Sequence, residues 1–221
     1  MITSNVLERI FHIKFGNSSG TCFAIDWEGR QYLVTAKHVI SGIFDNGIIE
    51  IFFKAKWHPQ QIKLIGHHPK VDVSVIEIGS VLSNLPLEPT AGGIALGQDV
   101  YFLGFPFSLS DQRNSYINRD FPLPLVKKGI LSAMFNDEKG DYLLLDGINN
   151  PGFSGGPVVF KPNKGNGFKV AGIISGYRIS PEPVYLNNDI AEYNIRANTG
   201  IIIAFNIRNA TDIIEGKINC K

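Results

Sequence analysis

Cysteine is nearly missing from this chain: its 221 residues hold two, Cys22 in an apolar segment and Cys220 beside the C-terminus. A disulfide framework is therefore excluded as the source of stability, a Cys22–Cys220 bridge is not expected, and the reducing interior of a cell is the expected setting. Long hydrophobic runs are missing too. No apolar stretch approaches the ~20 residues of a membrane-spanning helix, and Met1-Ile2-Thr3-Ser4-Asn5 has neither the basic nor the long apolar region of a secretory leader. The expectation is a cytoplasmic protein that engages no membrane. Neither charge is in excess, with 21 Lys and Arg against 20 Asp and Glu, so no basic footprint for nucleic acid or anionic lipid is present. Helical periodicity is almost absent until Asn209–Lys217, where Ile213 and Ile214 share one face.

What is present is a series of short β-branched and aromatic segments punctuated by Gly, Pro, Asn and Asp. Residues 7–15, 21–26, 31–35, 48–53, 61–65 and 73–78 read as one set of strands. Residues 99–103, 126–134, 142–145, 157–160, 168–175 and 200–207 read as a second. Many short strands with frequent turn signals indicate an all-β barrel or sandwich. The division is six strands in 1–90, a connection around Pro86–Gly97, six in 97–207, and a short terminal helix over 208–218, within one domain spanning 1–221. Two segments, 107–124 and 178–199, are poorly patterned and contain Pro181, Pro183, Asn187 and Asn188 among other breakers. Both read as long loops, which serve either as substrate-facing elements or as plain surface insertions.

The stretch Pro151-Gly152-Phe153-Ser154-Gly155-Gly156-Pro157 concentrates chemistry. Glycines let such a loop turn sharply and aim its own N–H groups inward, which sets a serine beside donors suited to a developing oxyanion. The same composition also suits an ordinary tight turn between strands. A serine nucleophile needs a base, usually histidine, oriented by a carboxylate. Of five histidines, His12 falls inside a strand-like run, and His58 and the pair His67-His68 adjoin prolines in polar turns. The pair lacks any companion spacing for a metal, so none is expected. His38 ends the apolar run Tyr32–Thr35, a corner from which an imidazole can face a site, although a buried structural histidine fits there as well. Asp72 opens the buried-looking run Val71–Ile76 and needs a donor partner. Asp26, Asp99 and Asp146 compete with it near other strand ends.

These residues carry a family resemblance. Thr35-Ala36-Lys37-His38-Val39-Ile40, Asp72-Val73-Ser74-Val75-Ile76 and Gly152-Phe153-Ser154-Gly155-Gly156-Pro157 resemble the three signature segments of trypsin-like serine proteases, in that family's order. Asn17–Thr21, Gly104-Phe105-Pro106, Gly129–Ala133 and Gly172–Ser175 extend the likeness from about Gly16 to Phe205. It is nearest the compact bacterial HtrA-like members, here without a PDZ domain. The resemblance implies two six-stranded antiparallel β-barrels of the chymotrypsin-like fold. It further implies a serine endopeptidase acting on protein or peptide substrates without a metal or organic cofactor. Ser154 would be the nucleophile, His38 the base and Asp72 its orienting acid, with the N–H groups of Gly152 and Ser154 as the oxyanion hole. Ile148 and the strand Ser175-Gly176-Tyr177, with Ile202 and Ala204 nearby, would line the specificity pocket. No acid stands at its base, which favours a small or medium apolar side chain over Arg or Lys. The chain departs from the family at Phe153, where digestive relatives carry an Asp that pairs with a freed N-terminal amine. Phenylalanine has no such carboxylate, so packing of Phe153 is expected to hold the loop instead. The alternative reading is a silent or partner-activated peptide-binding module on the same fold, dependent on an activator or recruiting protein.

Overall fold

The computed structural model describes residues 1–165, 167–186 and 189–220. A one-turn helix, α1 (Ser4–Leu7), precedes a first group of strands: β1 (Ile10–Phe15), β2 (Ser18–Trp27), β3 (Arg30–Thr35), β4 (Ile48–Phe53), β5 (Lys56–Gln61), β6 (Lys63–His67) and β7 (Ser74–Glu77). The second group comprises β8 (Glu88–Pro89), β9 (Asp99–Gly104), β10 (Leu125–Asp137), β11 (Gly140–Asp146), β12 (Pro157–Phe160), β13 (Lys169–Leu186) and β14 (Asp189–Asn206). Helix α2 (Arg208–Ile214) follows.

The strands form two seven-stranded sheets, ordered β5-β4-β1-β2-β3-β7-β6 and β12-β9-β10-β11-β14-β13-β8. In the second, β12 also pairs with β13, so six antiparallel strands close on themselves and β8 joins as a short parallel edge. The two-barrel architecture read from the sequence is the one observed. Each half also carries one short strand beyond the six expected from the sequence, β5 in the first and β8 in the second.

The extra strand in the first half is β5. It is reached through a two-residue turn, Lys54-Ala55, with both residues at positive φ (48° and 59°). Such turns match the twist of a hairpin but are normally built with Asn or Gly, so the sequence gives no turn signal here. Its segment Lys-Trp-His-Pro-Gln-Gln is polar, and Pro59 suits an edge strand that is paired on one side only. His58 therefore belongs to a strand, and His67 ends another, rather than lying in turns. The expected loop 178–199 is corrected too. Beyond the barrel, β13 and β14 continue as a ribbon in which Ile179 pairs with Asn198, Pro181 with Arg196 and Pro183 with Asn194. Asn187 and Asn188, expected within that loop, lie outside the described residues.

Apolar side chains collect in three places. One core fills the first barrel around Phe11, Leu33, Ile40 and Ile76, and another fills the second around Phe102, Leu145, Phe153 and Ile174. The third joins both sheets and α2, with Phe23, Val34 and Val75 against Leu103, Phe105, Ile173 and Ile213. Both cysteines are free, and Cys22 is fully buried. The segment 107–124 is anchored: Phe121 packs edge-on against Phe11 with centroids 4.9 Å apart, and an Asp111–Leu123 bridge closes its base.

Candidate active site

Strand β3 runs buried to Thr35, and the chain then turns through one 3-10 turn, Lys37–Ile40. Val39 and Ile40 of that turn sink into the first core, which leaves the His38 side chain outward and 53% exposed. Asp72 is placed by the same logic, flanked by the buried Val71 and Val73 just before β7. Its Oδ2 lies 2.7 Å from His38 Nδ1, and its Oδ1 accepts the His38 backbone N–H at 2.9 Å. A carboxylate acceptor puts the proton on Nδ1 and leaves Nε2 free as a base. Ser175 Oγ donates to the same Oδ2 at 2.6 Å. Burial works to raise the Asp72 carboxyl, but the hydrogen bonds from His38 and Ser175, with the His38 charge, outweigh it, and the net shift is downward.

The turn that delivers Asp72 is built by the histidine pair. His68 Nδ1 accepts from the backbone N–H of Lys70 and Val71 at 3.1 and 3.0 Å, and Lys37 Nζ donates to the His68 carbonyl at 3.0 Å. His67 Nδ1 lies 2.6 Å from Ser74 Oγ. These imidazoles are structural, and among the described residues no group of three or more His, Cys, Asp and Glu is placed to hold a metal.

Ser154 comes from the second sheet, on the loop that leads into β12. Its neighbours explain the glycines. Gly152 sits at φ +105°, where a Cβ would fall 2.4 Å from the Phe105 carbonyl oxygen, and at Gly155 (φ +82°) it would fall 2.1 Å from that of Thr21. The loop carbonyls are occupied one after another. Asn150 accepts from Phe153 N–H (3.3 Å), Pro151 from Phe107 N–H (3.0 Å) and Ser154 from Thr21 N–H (2.9 Å). Gly152 accepts from Thr21 Oγ1 at 2.8 Å. Among the described residues, the N–H groups of Gly152 and Ser154 meet no protein acceptor. They are two free donors beside the serine, as anion stabilisation needs. Phe153 is fully buried and edge-on to Phe102 at 5.1 Å.

The serine hydroxyl itself donates to the Ser175 carbonyl at 3.2 Å, and among the described residues no hydrogen bond joins it to His38. Ser175 thus stands between the serine and the Asp72–His38 pair, its carbonyl toward one and its hydroxyl toward the other. The sequence singled out Ser175 as a pocket residue and missed the contact of its hydroxyl, and it missed Thr21. Of the remaining expected pocket residues, Ile148 is 54% exposed, Gly176 and Tyr177 are partly buried, and Ile202 and Ala204 are fully buried. The competing acids lie in other contacts or at the surface: Asp26 pairs with Arg9, Asp99 with Lys128 at 2.8 Å, and Asp146 is exposed. A cavity of about 600 Å³ lined by Met1, Gln98, Asp99, Tyr101 and Phe168 includes none of His38, Asp72, Ser154 and the expected pocket residues.

Comparison with known proteins speaks to the family and the fold. The family model for the trypsin-like peptidase domain matches residues 20–166. Protease Do-like 1, chloroplastic, from Arabidopsis thaliana is 27% identical over 143 residues, covering 64% of this chain and 30% of that protein. A serine endoprotease from Yersinia pestis superposes with a TM-score of 0.63 at 20% identity, over 96% of this chain and 63% of that one. The inactive form of Rv3671c from M. tuberculosis H37Rv superposes with a TM-score of 0.60 at 16% identity, over 96% and 86% respectively. The chain therefore spans about a third of the curated relative's length, and the structural likenesses speak to the fold.

Proposed function

The chain belongs to the trypsin-like peptidase domain family, and from that premise we propose that it is a serine endopeptidase working through Ser154, His38 and Asp72. The observation that carries the reading is the orientation of His38. Both oxygens of Asp72 hold it, through the ring Nδ1 and the backbone N–H, so Nε2 is the unprotonated nitrogen. Ser154 Oγ attacks the scissile carbonyl carbon and its proton passes to His38 Nε2. Asp72 offsets the charge of the imidazolium, and the free N–H groups of Gly152 and Ser154 receive the oxyanion, each typically worth ~3–4 kcal/mol in the transition state. His38 then returns the proton to the leaving amine, and water resolves the acyl-enzyme by the same path. No step calls for a metal or organic cofactor.

The resting contact of Ser154 with the Ser175 carbonyl fits this scheme. An extended substrate pairing with Ser175 and Tyr177 as an added strand brings an N–H to that carbonyl. The hydroxyl is displaced and becomes available to His38. The same contact favours a second reading, a module that binds peptide and cleaves only when a partner reseats the serine. Ile148, Ile202 and Ala204 suit a small or medium apolar residue before the cleaved bond.

A fluorophosphonate probe separates the readings. Stoichiometric labelling of the wild type, lost in Ser154→Ala and His38→Ala, is expected, together with faster turnover of peptides presenting Val or Ala than of those presenting Arg or Lys. A well-folded wild type that never labels overturns the enzyme reading in favour of the binding module. Preference for Arg overturns the pocket assignment.

A further inference from the structure

One cation is built into the loop that carries the nucleophile, and nothing in the triad uses it. Lys127, on β10, reaches from the second barrel beneath residues 148–153. Its Nζ donates to the Ile148 carbonyl at 2.7 Å and to Asn150 Oδ1 at 2.7 Å. The same nitrogen lies 5.6 Å from the centroid of the Phe153 ring, within range of a cation–π contact. An ammonium has three N–H donors, and here two face oxygens and the third has an aromatic face. The three partners are residues 148, 150 and 153, which lead directly into Ser154. Phe153 therefore does face an ammonium group, through its ring rather than through a carboxylate. The carbonyls that follow Ile148 are held from several sides: Asn149 accepts from Asn198 Nδ2 at 2.8 Å, Asn150 from Phe153 N–H, Pro151 from Phe107 N–H, Gly152 from Thr21 Oγ1, Phe153 from Gly156 N–H at 2.8 Å and Ser154 from Thr21 N–H. Those ties act on the backbone of residues 149 to 154 and leave the Ile148 carbonyl and the Asn150 side chain to Lys127. Among the described residues, Lys127 alone grips Ile148 and the Asn150 side chain together.

We propose that Lys127 is a positioning residue that pins the 148–153 segment so that the N–H groups of Gly152 and Ser154 stay aimed at the oxyanion. It touches neither substrate nor the reacting atoms. The inference rests on the peptidase reading only for its kinetic consequence, since the pinning itself is a property of the loop. Methionine at 127 keeps the length and the apolar stem but cannot donate. The geometry of an oxyanion hole is steeply sensitive to small displacements, and one lost donor costs 10²–10³-fold in rate. For Lys127→Met, kcat is expected to fall roughly 10- to 100-fold while KM changes by less than about threefold, because the ground-state carbonyl depends less on the hole than the transition state does. Asn150→Ala cuts one tether and is expected to give a smaller loss in the same direction.

Two further measurements separate pinning from a general structural role. In a Cys220→Ser background, Lys127→Cys treated with bromoethylamine restores an ammonium at nearly the original reach, and kcat is expected to recover at least tenfold over the untreated variant. Amide exchange of residues 148–154, followed in Ser154→Ala with and without Lys127→Met, is expected to accelerate at least tenfold in the double variant, with β1 to β3 unchanged. Unchanged kcat in Lys127→Met of an active wild type overturns the proposal, and so does failure of the amine to restore it. Where the wild type never labels with fluorophosphonate, the peptidase reading falls and the exchange comparison still decides this one. Faster exchange confined to 148–154 upholds pinning, and equal exchange overturns it.

Discussion

Thr21 joins the two halves of the site by a single side chain. Its Oγ1 donates to the Gly152 carbonyl at 2.8 Å and accepts from Phe105 N–H at 3.2 Å, while its backbone N–H holds the Ser154 carbonyl. Thr21→Val keeps the shape and leaves the half-buried Gly152 carbonyl and the buried Phe105 N–H without that partner. Stability is expected to fall by about 2 kcal/mol in denaturant titration, with slower fluorophosphonate labelling of the folded fraction. A change below about 0.5 kcal/mol in Thr21→Val would show that the two orphaned groups find other partners. Thr21 and Gly152 are 131 residues apart in sequence, which is why no local pattern announces the contact. Ser154, His38 and Asp72 could be singled out as candidates because each sits in a short segment with its own composition: glycines around one, a strand end before another, a buried run after the third. The Ser175 hydroxyl, Thr21 and Lys127 were not legible. Their partners come from other strands, and Ser, Thr and Lys look ordinary in any strand.

At the scale of elements, the sequence was informative wherever burial dictates alternation and silent where it does not. β1 to β4, β7, β9, β12 and α2 fall close to their expected places because each contributes buried side chains to one of the three cores. β5 and the outer half of the β13–β14 ribbon were missed for a common reason. Both are paired on one side only, so their side chains need not alternate, and Pro59, Pro181 and Pro183 are tolerated where no donor is needed. Among the described residues the ribbon beyond Tyr177 has no third strand, and Tyr185, Ile190, Tyr193 and Ile195 along it are exposed. A two-stranded ribbon of this kind adds little to global stability. Replacing residues 180–197 by Asn-Gly, which closes the hairpin at Ile179 and Asn198, is expected to leave the thermal midpoint within a few degrees and small-peptide turnover within about twofold. Turnover of protein substrates is expected to fall, because the exposed apolar strip continues β13, the strand that carries Ser175 and Tyr177. Equal loss on small peptides and proteins would assign the ribbon to the site itself, and equal retention of both would remove it from substrate capture.

For the molecule as a whole, the seam between the two sheets is where the largest acid sensitivity is expected. His12 on β1 is 2% exposed and stacks on Phe105, which follows β9 of the other sheet, with ring centroids 4.8 Å apart and planes 16° from parallel. Trp57 closes over it edge-on at 4.8 Å, and its Nε2 lies 2.9 Å from Ser19 Oγ. Burial pushes its pKa down to about 4 from 6.5. The unfolded chain therefore binds this proton more tightly than the folded one. Stability is intact above pH 6.5, declines as pH falls through the window to about 4, and levels off below it. A gap of that size corresponds to about 3 kcal/mol in all. Burial lowers His67 and His68 as well, so they act in the same direction and on the turn that delivers Asp72. Asp72, whose carboxyl is held low by His38 and Ser175, withdraws its own contribution only at more acid pH. His12→Phe fits the same aromatic surroundings and removes the titrating group. Denaturation curves measured from pH 7.5 to 4 should then lose most of the wild-type slope, while the Asp72 contribution keeps its place below that range. Equal slopes in the two proteins would move the acid sensitivity from the seam to the His67-His68 turn, and labelling by fluorophosphonate would then fail at the same pH as the fold loosens there.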